Sequence, residues 1–494
     1  MSAQLSIPFR NSYALLPNDF YVKLCPEKMP NLQLIRLNKS LCKLLNFLAE
    51  DLETESGVNF LGGLNISPNS EPLAQAYAGH QFGNFVDRLG DGRAILLGEV
   101  IGSDGITRDI QIKGSGRTPF SRMGDGRAAL GPVLREYIVS EAMAGFGIPT
   151  TRALAALLTG ETILREKPLP GALLTRVAKS HIRVGTFEYF SSRGETRNVK
   201  ILADYVIKRH YPHLSKKRDK YDRLLTEVVQ KQAILMSKWM SVGFIHGVMN
   251  TDNTAISGET IDFGPCAFMD KFNVNQVYSS IDLQGRYRYS NQPFVAPWNL
   301  SRLAETLLPI IDKNKDKAIK SAQEIIDSFI PAFLDNWILA MGSKLGIKNP
   351  QKEDKILIEN LMKLMQDGKS DFTLTFRSLS KVIEKNSCES WEALFSSVPA
   401  SKLTGWVEQW QKRLVKDSLT KTEIIQNLNN TNPAIIPRNH LIENCIKKAE
   451  EGDLSDFHKL ADAVETPFEE KEEYKLFSRP PKPEEEVQHT YCGT

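Results

Sequence analysis

A short loop near the middle of the chain places oxygen-bearing side chains at close spacing. Residues 246–253 read His-Gly-Val-Met-Asn-Thr-Asp-Asn, and an Asp-Phe-Gly tripeptide follows at 262–264. Oxygen ligands from one Asn and one Asp suit Mg²⁺, which takes a few protein oxygens together with phosphate and water. The loop therefore predicts a divalent-cation site formed by Asn253 and Asp262, and its spacing does not decide between Mg²⁺ and Mn²⁺.

A glycine-rich turn precedes this loop by more than a hundred residues. Gly90 and Gly92 stand just before AILLGEV at 94–100, a segment whose residue types predict a strand. Two such glycines could let backbone N–H groups approach an anion closely. They could equally form a plain hairpin turn, and the pair alone does not decide.

A lysine and a glutamate downstream of that turn are suited to hold phosphate. Lys113 ends a second predicted strand at 108–113, and Glu136 lies among apolar residues of a predicted helix that starts at Pro132. A lysine neutralises phosphate oxygens, and a glutamate fixes its long, flexible side chain. Glu141 could compete for the lysine, but five residues at about 3.6 per turn put it on another helix face.

The order of these features resembles that of a protein kinase. A Gly-rich hairpin, a strand lysine, a helix glutamate, a loop asparagine and an Asp-Phe-Gly occur in that order. Small-molecule kinases of this fold carry a loop resembling His-Gly-Asp-x-x-x-x-Asn, but Val248 stands at the position of the catalytic base and cannot accept a proton. Asp252 is the nearby carboxylate that could replace it. The departure indicates either an inactive kinase or a different reaction geometry.

We predict an α+β chain with a protein-kinase-like two-lobed fold and additional C-terminal helices. Apolar residues at three- and four-residue spacing predict helices in 301–314 and 322–346. We expect nucleotide to bind between the lobes. The expected parts are an N-terminal extension (1–70), a small lobe with the Gly-rich loop, lysine and helix glutamate (71–185), a lobe with the metal-binding loop (186–300), a helical extension (301–466) and a flexible tail (467–494).

The composition argues against several classes of protein. With 62 Lys and Arg against 59 Asp and Glu, the net charge of +3 is too small for a nucleic-acid binder that works by charge. We find no apolar run near the roughly 18–20 residues of a membrane-spanning helix, and we recognise no targeting segment. Six cysteines without a Cys-x-x-Cys pair argue against a zinc site. We expect a cytoplasmic monomer without nucleic-acid or membrane partners.

Long segments of the chain resemble the selenoprotein O family of pseudokinase protein adenylyltransferases. The resemblance covers nearly the whole chain, and the long blocks are highly specific. The matching blocks include AQAYAGHQFGNFVDRLGDGRAILLGE (74–99), DIQIKGSGRTPFSRMGDGRAALGPVLREYIVSEAM (109–143), LLTRVAKSHIRVGTFEYF (173–190), GFIHGVMNTDN (243–253), IDFGPCAFMD (261–270), RYRYSNQP (286–293) and NPAIIPRNHLIENCI (432–446).

The resemblance implies an enzyme that binds ATP in a flipped orientation with Mg²⁺ or Mn²⁺. It implies transfer of AMP to Ser, Thr or Tyr hydroxyls of protein substrates with release of pyrophosphate, and it leaves self-modification open. It also implies that Glu136 orients the phosphate-binding lysine, that Asn253 and Asp262 bind the metal, and that Asp252 is the catalytic proton acceptor. The nucleotide-binding residues it implies are Gly90, Gly92, Arg93, Lys113, Asp125, Gly126, Arg176, Arg183 and Asp262.

Other interpretations of the same residues stay open. The chain could transfer UMP with Mn²⁺, act as a conventional protein kinase, or serve as a non-catalytic nucleotide-binding pseudokinase scaffold. Arg176 and Arg183 could instead form structural salt bridges. Cys492, third from the C-terminus at a position where eukaryotic members of the family carry selenocysteine, is a candidate redox residue, and Cys266 is a weak candidate partner for it.

Overall fold

The computed structural model describes residues 6–491, so the candidate redox residue Cys492 lies outside the described residues. The described residues are 48% helical and 15% strand. The strands fall in the first part of the chain, and helices occupy most of the remainder. The prediction of a mixed α and β chain with C-terminal helices is therefore confirmed.

An antiparallel sheet forms the first part of the molecule. Its eight strands are β1 (Tyr21–Lys23), β2 (Gln33–Leu37), β3 (Leu73–Gln75), β6 (Ala94–Ile101), β7 (Thr107–Lys113), β8 (Ala128–Ala129), β9 (Arg152–Leu164) and β10 (Pro168–Ala178). They pair in the order β1-β3-β6-β7-β10-β9-β2, with β8 beside β10. Two short ribbons join β4 (Gly79–Gln81) to β5 (Asn84–Val86) and β11 (Phe244–Ile245) to β12 (Ala267–Phe268). The predicted strands at 94–100 and 108–113 are confirmed as β6 and β7.

Four helices lie between strands of the sheet in the chain, and the others follow it. They are α1 (Lys39–Leu44), α2 (Ala49–Leu52), α3 (Glu55–Leu61), α4 (Leu130–Gly145), α5 (Val184–Ser191), α6 (Thr196–His210), α7 (Lys220–Ser241), α8 (Gln292–Ile311), α9 (Lys315–Asp327), α10 (Phe329–Lys344), α11 (Asp354–Gly368), α12 (Phe372–Arg377), α13 (Leu379–Lys385), α14 (Glu389–Glu392), α15 (Ala400–Val415), α16 (Lys421–Thr431), α17 (Asn439–Glu450) and α18 (Ser455–Glu465). The helix α4 packs on β9 and β10, whereas most later helices pack on one another. A short 3-10 helix, Thr251–Asn253, lies in the loop that carries the predicted metal site.

Both faces of the sheet are buried, because successive side chains of a strand point to opposite sides. On β6, Ile95 and Leu97 join a core cluster with Phe60 of α3. Leu96 joins a larger cluster together with Leu134 of α4. The apolar run in β6 is thus the pattern of a strand covered on both faces.

The helix α4 begins two residues before the predicted position. Pro132 was the expected first residue, but the helix starts at Leu130 after the extended residue Ala129. Proline is accepted anywhere in a first helical turn, because the N–H groups there have no intrahelical partner. A proline near the start therefore marks the first turn of a helix and does not fix its first residue.

The expected helix over 322–346 is two helices, α9 and α10, which meet at Ser328. The ring of Pro331 would clash with the carbonyl of residue 327 in a continuous helix, so the chain breaks there. The combined segment Lys315–Lys344 is long and apolar enough by composition to cross a membrane. A core helix passes the same test, and Phe329 of α10 is fully buried in the large core cluster.

A buried charged network joins the sheet to α6. The carboxylate of Asp109 on β7 accepts the backbone N–H of His181 (2.9 Å) and lies 3.0 Å from its Nδ1. Its other oxygen accepts Arg209 Nη2 of α6 at 2.5 Å. Burial alone would raise the pKa of Asp109, but the charge of Arg209 and the hydrogen bond from His181 hold this pKa below its ordinary value.

We expect Asp109→Ala to lower the free energy of unfolding by about 3–5 kcal/mol, because Arg209 loses a buried carboxylate partner. Chemical denaturation of the purified protein measures this difference. Asp104→Ala is the matched control on the β6–β7 connection, where the Asp104–Arg108 pair (2.6 Å) is more exposed. It should cost about 1 kcal/mol or less. Equal losses in the two variants would contradict the role assigned to the buried network.

Candidate active site

A cavity of about 780 Å³ opens beside the ends of β7 and β10 and the loop that contains Asp262. Ten residues predicted from the sequence line it: Gly90, Gly92, Arg93, Lys113, Asp125, Gly126, Arg176, Arg183, Asp252 and Asp262. Eight of the lining residues are Arg or Lys and four are Asp. This excess of positively charged side chains suits a polyanionic ligand such as a nucleoside triphosphate.

Two glycines allow the loops of the cavity wall to pass close to each other. Gly90 has φ +68°, and a Cβ placed on it would lie 2.2 Å from Phe120 Cγ. Gly126 has φ +72°, and its Cβ would lie 2.1 Å from the carbonyl oxygen of Gly116. Both positions combine left-handed backbone with close contact, so only glycine fits them without strain.

Lys113 forms ion pairs with two carboxylates at the wall of the cavity. Its Nζ lies 2.5 Å from Glu136 Oε2 on α4 and 3.0 Å from Asp262 Oδ1. Glu141, the alternative helix glutamate, instead pairs with Arg152 at 2.5 Å. Burial would raise the pKa of Glu136 and of Asp262, but the neighbouring Lys113 and arginine charges hold both below their ordinary values. Both carboxylates are therefore ionised at neutral pH.

Asp262 also has an unusual backbone conformation. Its φ is +66°, in the left-handed region that non-glycine residues seldom adopt. Such strain persists where the surrounding structure over-determines it, and it clusters at functional sites. Here the ion pair with Lys113 is one of the contacts that hold the residue.

The two arginines predicted to hold phosphate are buried and differ in their partners. Arg176 on β10 donates to Gln111 Oε1 from Nε (3.0 Å) and Nη2 (2.5 Å), and its Nη1 lies 3.3 Å from Glu136 Oε1. Arg183 donates to the carbonyl oxygens of His181 (3.1 Å) and Asp252 (3.2 Å). Arg183 Nη2 is buried without a hydrogen-bond partner among the described residues.

The surroundings of Arg183 orient its guanidinium and leave one nitrogen without a hydrogen-bond partner in the described part of the chain. The arginine packs 4.3 Å from the ring centroid of Tyr77, which orients the guanidinium. Its nearest carboxylate, Asp91, is 3.9 Å from Nη2, which is too far for a hydrogen bond. A buried, oriented guanidinium with a free donor in the cavity wall is equipped to bind an anion.

Asp252 lies in the same wall, close to Arg183. Its Oδ1 is buried without a hydrogen-bond partner among the described residues, and its Oδ2 lies 3.5 Å from Gln81 Nε2. Burial raises the pKa of Asp252 to about 7, although the charge of Arg183 lowers it. Val248, at the usual position of a kinase base, is buried and carries no acid–base group.

The predicted metal ligands are placed differently from each other. Asp262 lines the large cavity, whereas Asn253 lines a second, much smaller cavity with Gln232 and Asn299. Asn253 donates its amide N–H to the carbonyl oxygen of Val248 (3.0 Å), so its amide oxygen points away from that carbonyl. Within residues 6–491 no cluster of three or more His, Cys, Asp or Glu is suited to a metal ion. One carboxylate and one amide oxygen are donors suited by type to Mg²⁺ or Mn²⁺ completed by phosphate and water, but the two residues line different cavities.

Three residues that orient the site were missed in the sequence. Gln111 holds Arg176, Tyr77 packs against Arg183, and Arg165 pairs with Asp125 at 2.7 and 3.0 Å. Gln111 lies two residues before the strand lysine, so the period of a strand could have placed both on one face. Arg165 carries no such signal, because its contact forms only when distant loops pack together.

Comparison with known proteins identifies the class of enzyme. Relatives from Rhizobium rhizogenes, Rhizobium meliloti and Bacillus mycoides are each named "Protein nucleotidyltransferase YdiU". They are 51%, 50% and 50% identical over 489, 487 and 485 residues, which is 99%, 98% and 98% of this chain and 97%, 99% and 98% of theirs. The chain is thus a protein nucleotidyltransferase.

A family model, described as "Protein adenylyltransferase SelO", matches residues 3–465. The chain belongs to this family. The predictions of the family and of a nucleotidyltransferase are confirmed. A transferase of this class acts on a nucleotide and on protein substrates, which agrees with the cation-rich cavity.

Proposed function

We propose that the enzyme transfers AMP from ATP to Ser, Thr or Tyr hydroxyls of proteins and releases pyrophosphate. The observation that carries this proposal is the position of Asp252 in the wall of the cation-rich cavity, which Asp262 also lines. At the position where a kinase has its catalytic base, this chain has the buried Val248, which cannot accept a proton. In this arrangement the α-phosphorus faces the acceptor. Arg176 and Arg183 then hold the β- and γ-phosphates.

The architecture that we propose is a kinase-like pair of lobes. Residues 71–185 form the small lobe and 186–300 the larger lobe, with an N-terminal extension at 1–70, a helical extension at 301–466 and a tail at 467–494. The cavity supports this division, because it draws residues from the sheet and from the loop after α7. We also propose that the enzyme acts as a cytoplasmic monomer on protein acceptors, without nucleic-acid or membrane partners.

The residues would carry the reaction in one displacement. Asp252 accepts the proton of the acceptor hydroxyl as the hydroxyl oxygen bonds to the α-phosphorus. The bond from that phosphorus to the α–β bridging oxygen breaks, and pyrophosphate leaves with its electron pair. Arg183 would donate to the leaving group from Nη2, which has no hydrogen-bond partner within residues 6–491, and the fixed positive charge of Arg176 would add to the stabilisation.

Asp262 would hold the divalent cation from the wall of the large cavity, and Asn253 would join it only by turning its amide oxygen from the smaller cavity toward that site. A bound Mg²⁺ or Mn²⁺ would offset negative charge on the phosphate oxygens. Lys113, held by Glu136 and Asp262, adds a fixed positive charge at the same wall. The lysine thereby binds phosphate without needing to reorganise.

Isotopic labels separate this proposal from its rivals. With ATP and metal, α-labelled ATP should label acceptor protein and γ-labelled ATP should not, because AMP retains the α-phosphorus only. Intact mass of the enzyme after the same incubation shows whether it adds AMP to itself. Label from the γ-position alone would overturn the proposal in favour of a protein kinase, and no label from either would favour a scaffold.

UMP transfer with Mn²⁺ is a second candidate. The observation that favours it is that charged side chains dominate the part of the cavity suited to phosphate, and these contacts do not distinguish one base from another. Competition between ATP and UTP in one assay, repeated with Mg²⁺ and with Mn²⁺, ranks the two nucleotides. A preference for UTP with Mn²⁺ would replace AMP by UMP in the proposal.

A further inference from the structure

We propose that a surface beside Asp252 binds the acceptor segment of the protein substrate, and that Arg286 pairs there with a carboxylate flanking the modified hydroxyl. This inference rests on the proposed function and names the class of acceptor it uses. We call the surface the acceptor platform. It consists of Phe82 and Phe85 of the β4–β5 hairpin, Arg286, and Phe294 and Trp298 of α8.

The hairpin is bound directly to the loop that carries Asp252. The backbone N–H of His80 donates to Thr251 Oγ1 (2.6 Å), and that of Phe82 donates to Asn250 Oδ1 (3.0 Å). Gln81, between them, lines the large cavity and lies 3.5 Å from Asp252 Oδ2. The hairpin therefore forms the rim of the cavity next to the proton acceptor, where an incoming hydroxyl must enter.

Aromatic rings continue from the hairpin onto α8. The His80 ring centroid lies 5.0 Å from that of Phe85 and 5.3 Å from that of Trp298. Phe294 is one helical turn before Trp298, on the same face of α8. Phe85 is 41% exposed and Phe294 is 64% exposed. Exposed aromatic side chains next to one another and to a site are typical of surfaces that bind protein.

Arg286 supplies the charge of this surface. Its guanidinium carbon lies 4.8 Å from the Trp298 ring centroid and 5.8 Å from that of Tyr287. A Cβ placed on Gly83, at the hairpin tip, would lie 3.7 Å from the same carbon. The guanidinium is thus stacked and oriented directly against the hairpin, which lowers the entropy lost when it pairs with a carboxylate.

The guanidinium of Arg286 has no carboxylate partner in the part of the chain that the structure describes, although Asp282 Oδ1 accepts the backbone N–H of Arg286 at 2.8 Å. No described carboxylate lies within 4.0 Å of its guanidinium, and its buried Nε has no hydrogen-bond partner there. Arg302 stacks on the same indole ring, at 5.2 Å, but pairs with Glu305 at 2.7 Å. A stacked arginine without a described carboxylate partner, beside exposed aromatics, therefore favours an acidic acceptor segment over a neutral or basic one.

The test uses a peptide library in which one Ser, Thr or Tyr is flanked by Glu, Gln or Lys, incubated with α-labelled ATP and metal. The full-length enzyme should modify Glu-flanked peptides about tenfold faster, in kcat/KM, than Lys-flanked ones, as one charged hydrogen bond would give. Arg286→Gln should remove the preference, and Arg286→Glu should reverse it. Arg302→Gln is the matched control and should keep the preference of the wild type.

The outcomes separate this inference from the proposed function. Transfer of AMP without a charge preference, or transfer to the enzyme itself but to no peptide, would overturn the acceptor platform alone. Absence of α-label from every acceptor would overturn the proposed function. The preference of the wild type is measured whether or not the variants fold, and pyrophosphate release by each variant reports whether its nucleotide site is intact.

Discussion

Replacing Asp262 with asparagine should lower the rate of nucleotide transfer to protein by about a thousandfold, equivalent to ~4 kcal/mol of transition-state stabilisation. The substitution keeps the shape of the side chain but removes its charge. Asp262 faces the cavity and pairs with Lys113 at 3.0 Å, so the change affects both the carboxylate proposed to bind the cation and the lysine proposed to bind phosphate. The rate is measured with labelled nucleotide at saturating acceptor.

The fold should survive this change, because Lys113 retains Glu136 at 2.5 Å. An unchanged unfolding midpoint would show that the loss belongs to the chemistry. Asp104→Asn is a suitable control, since that carboxylate pairs with Arg108 on the β6–β7 connection and does not line the cavity. It should leave the rate unchanged. Transfer by Asp262→Asn within tenfold of the wild type would contradict the role proposed for Asp262.

Asp252→Asn is expected to lower the turnover rate by about a hundredfold to ten-thousandfold, the range typical for loss of a general base. The asparagine has nearly the same size, so the contact of Arg183 with the backbone oxygen of residue 252 should persist. We therefore expect nucleotide binding to change little. Turnover from labelled transfer and nucleotide affinity from calorimetry measure the two effects separately.

The split between turnover and affinity is what distinguishes a proton acceptor from a nucleotide ligand. A variant that binds nucleotide weakly but turns over normally would assign Asp252 to binding. Gln81→Ala is a useful comparison, because Gln81 Nε2 approaches the same carboxylate at 3.5 Å and carries no acid–base group. Its effect on turnover should be far smaller than that of Asp252→Asn.

The sequence predicted the elements better than their ends. Strands β6 and β7 were predicted from apolar patterns in the sequence, because such patterns show which faces of a strand are buried. The start of α4 was missed by two residues, since Pro132 is compatible with any position of a first turn. The break at Ser328 was missed because apolar periodicity continues across it, although Pro331 in the sequence marked the place.

In the candidate site, too, the sequence shows features of short segments but not the contacts between segments that are far apart in the chain. The sequence alone supplied the residue types: glycines before a strand, a lysine, a helix glutamate and an Asn–Asp pair, together with the family to which they belong. It also placed the departure at Val248, because one loop contains both the missing base and Asp252. These are properties of short segments, so they can be read from the sequence without knowledge of the fold.

Only the tertiary structure decided which of these residues meet. It joined Lys113 to Glu136 and Asp262, paired Asp125 with Arg165, and placed Asn253 in the wall of a different cavity from Asp262. The stacking of Arg286 on Trp298 likewise depends on how α8 packs against the β4–β5 hairpin. Such contacts join segments far apart in the chain. Their geometry depends on how the whole core packs, and a local pattern of residues cannot predict it.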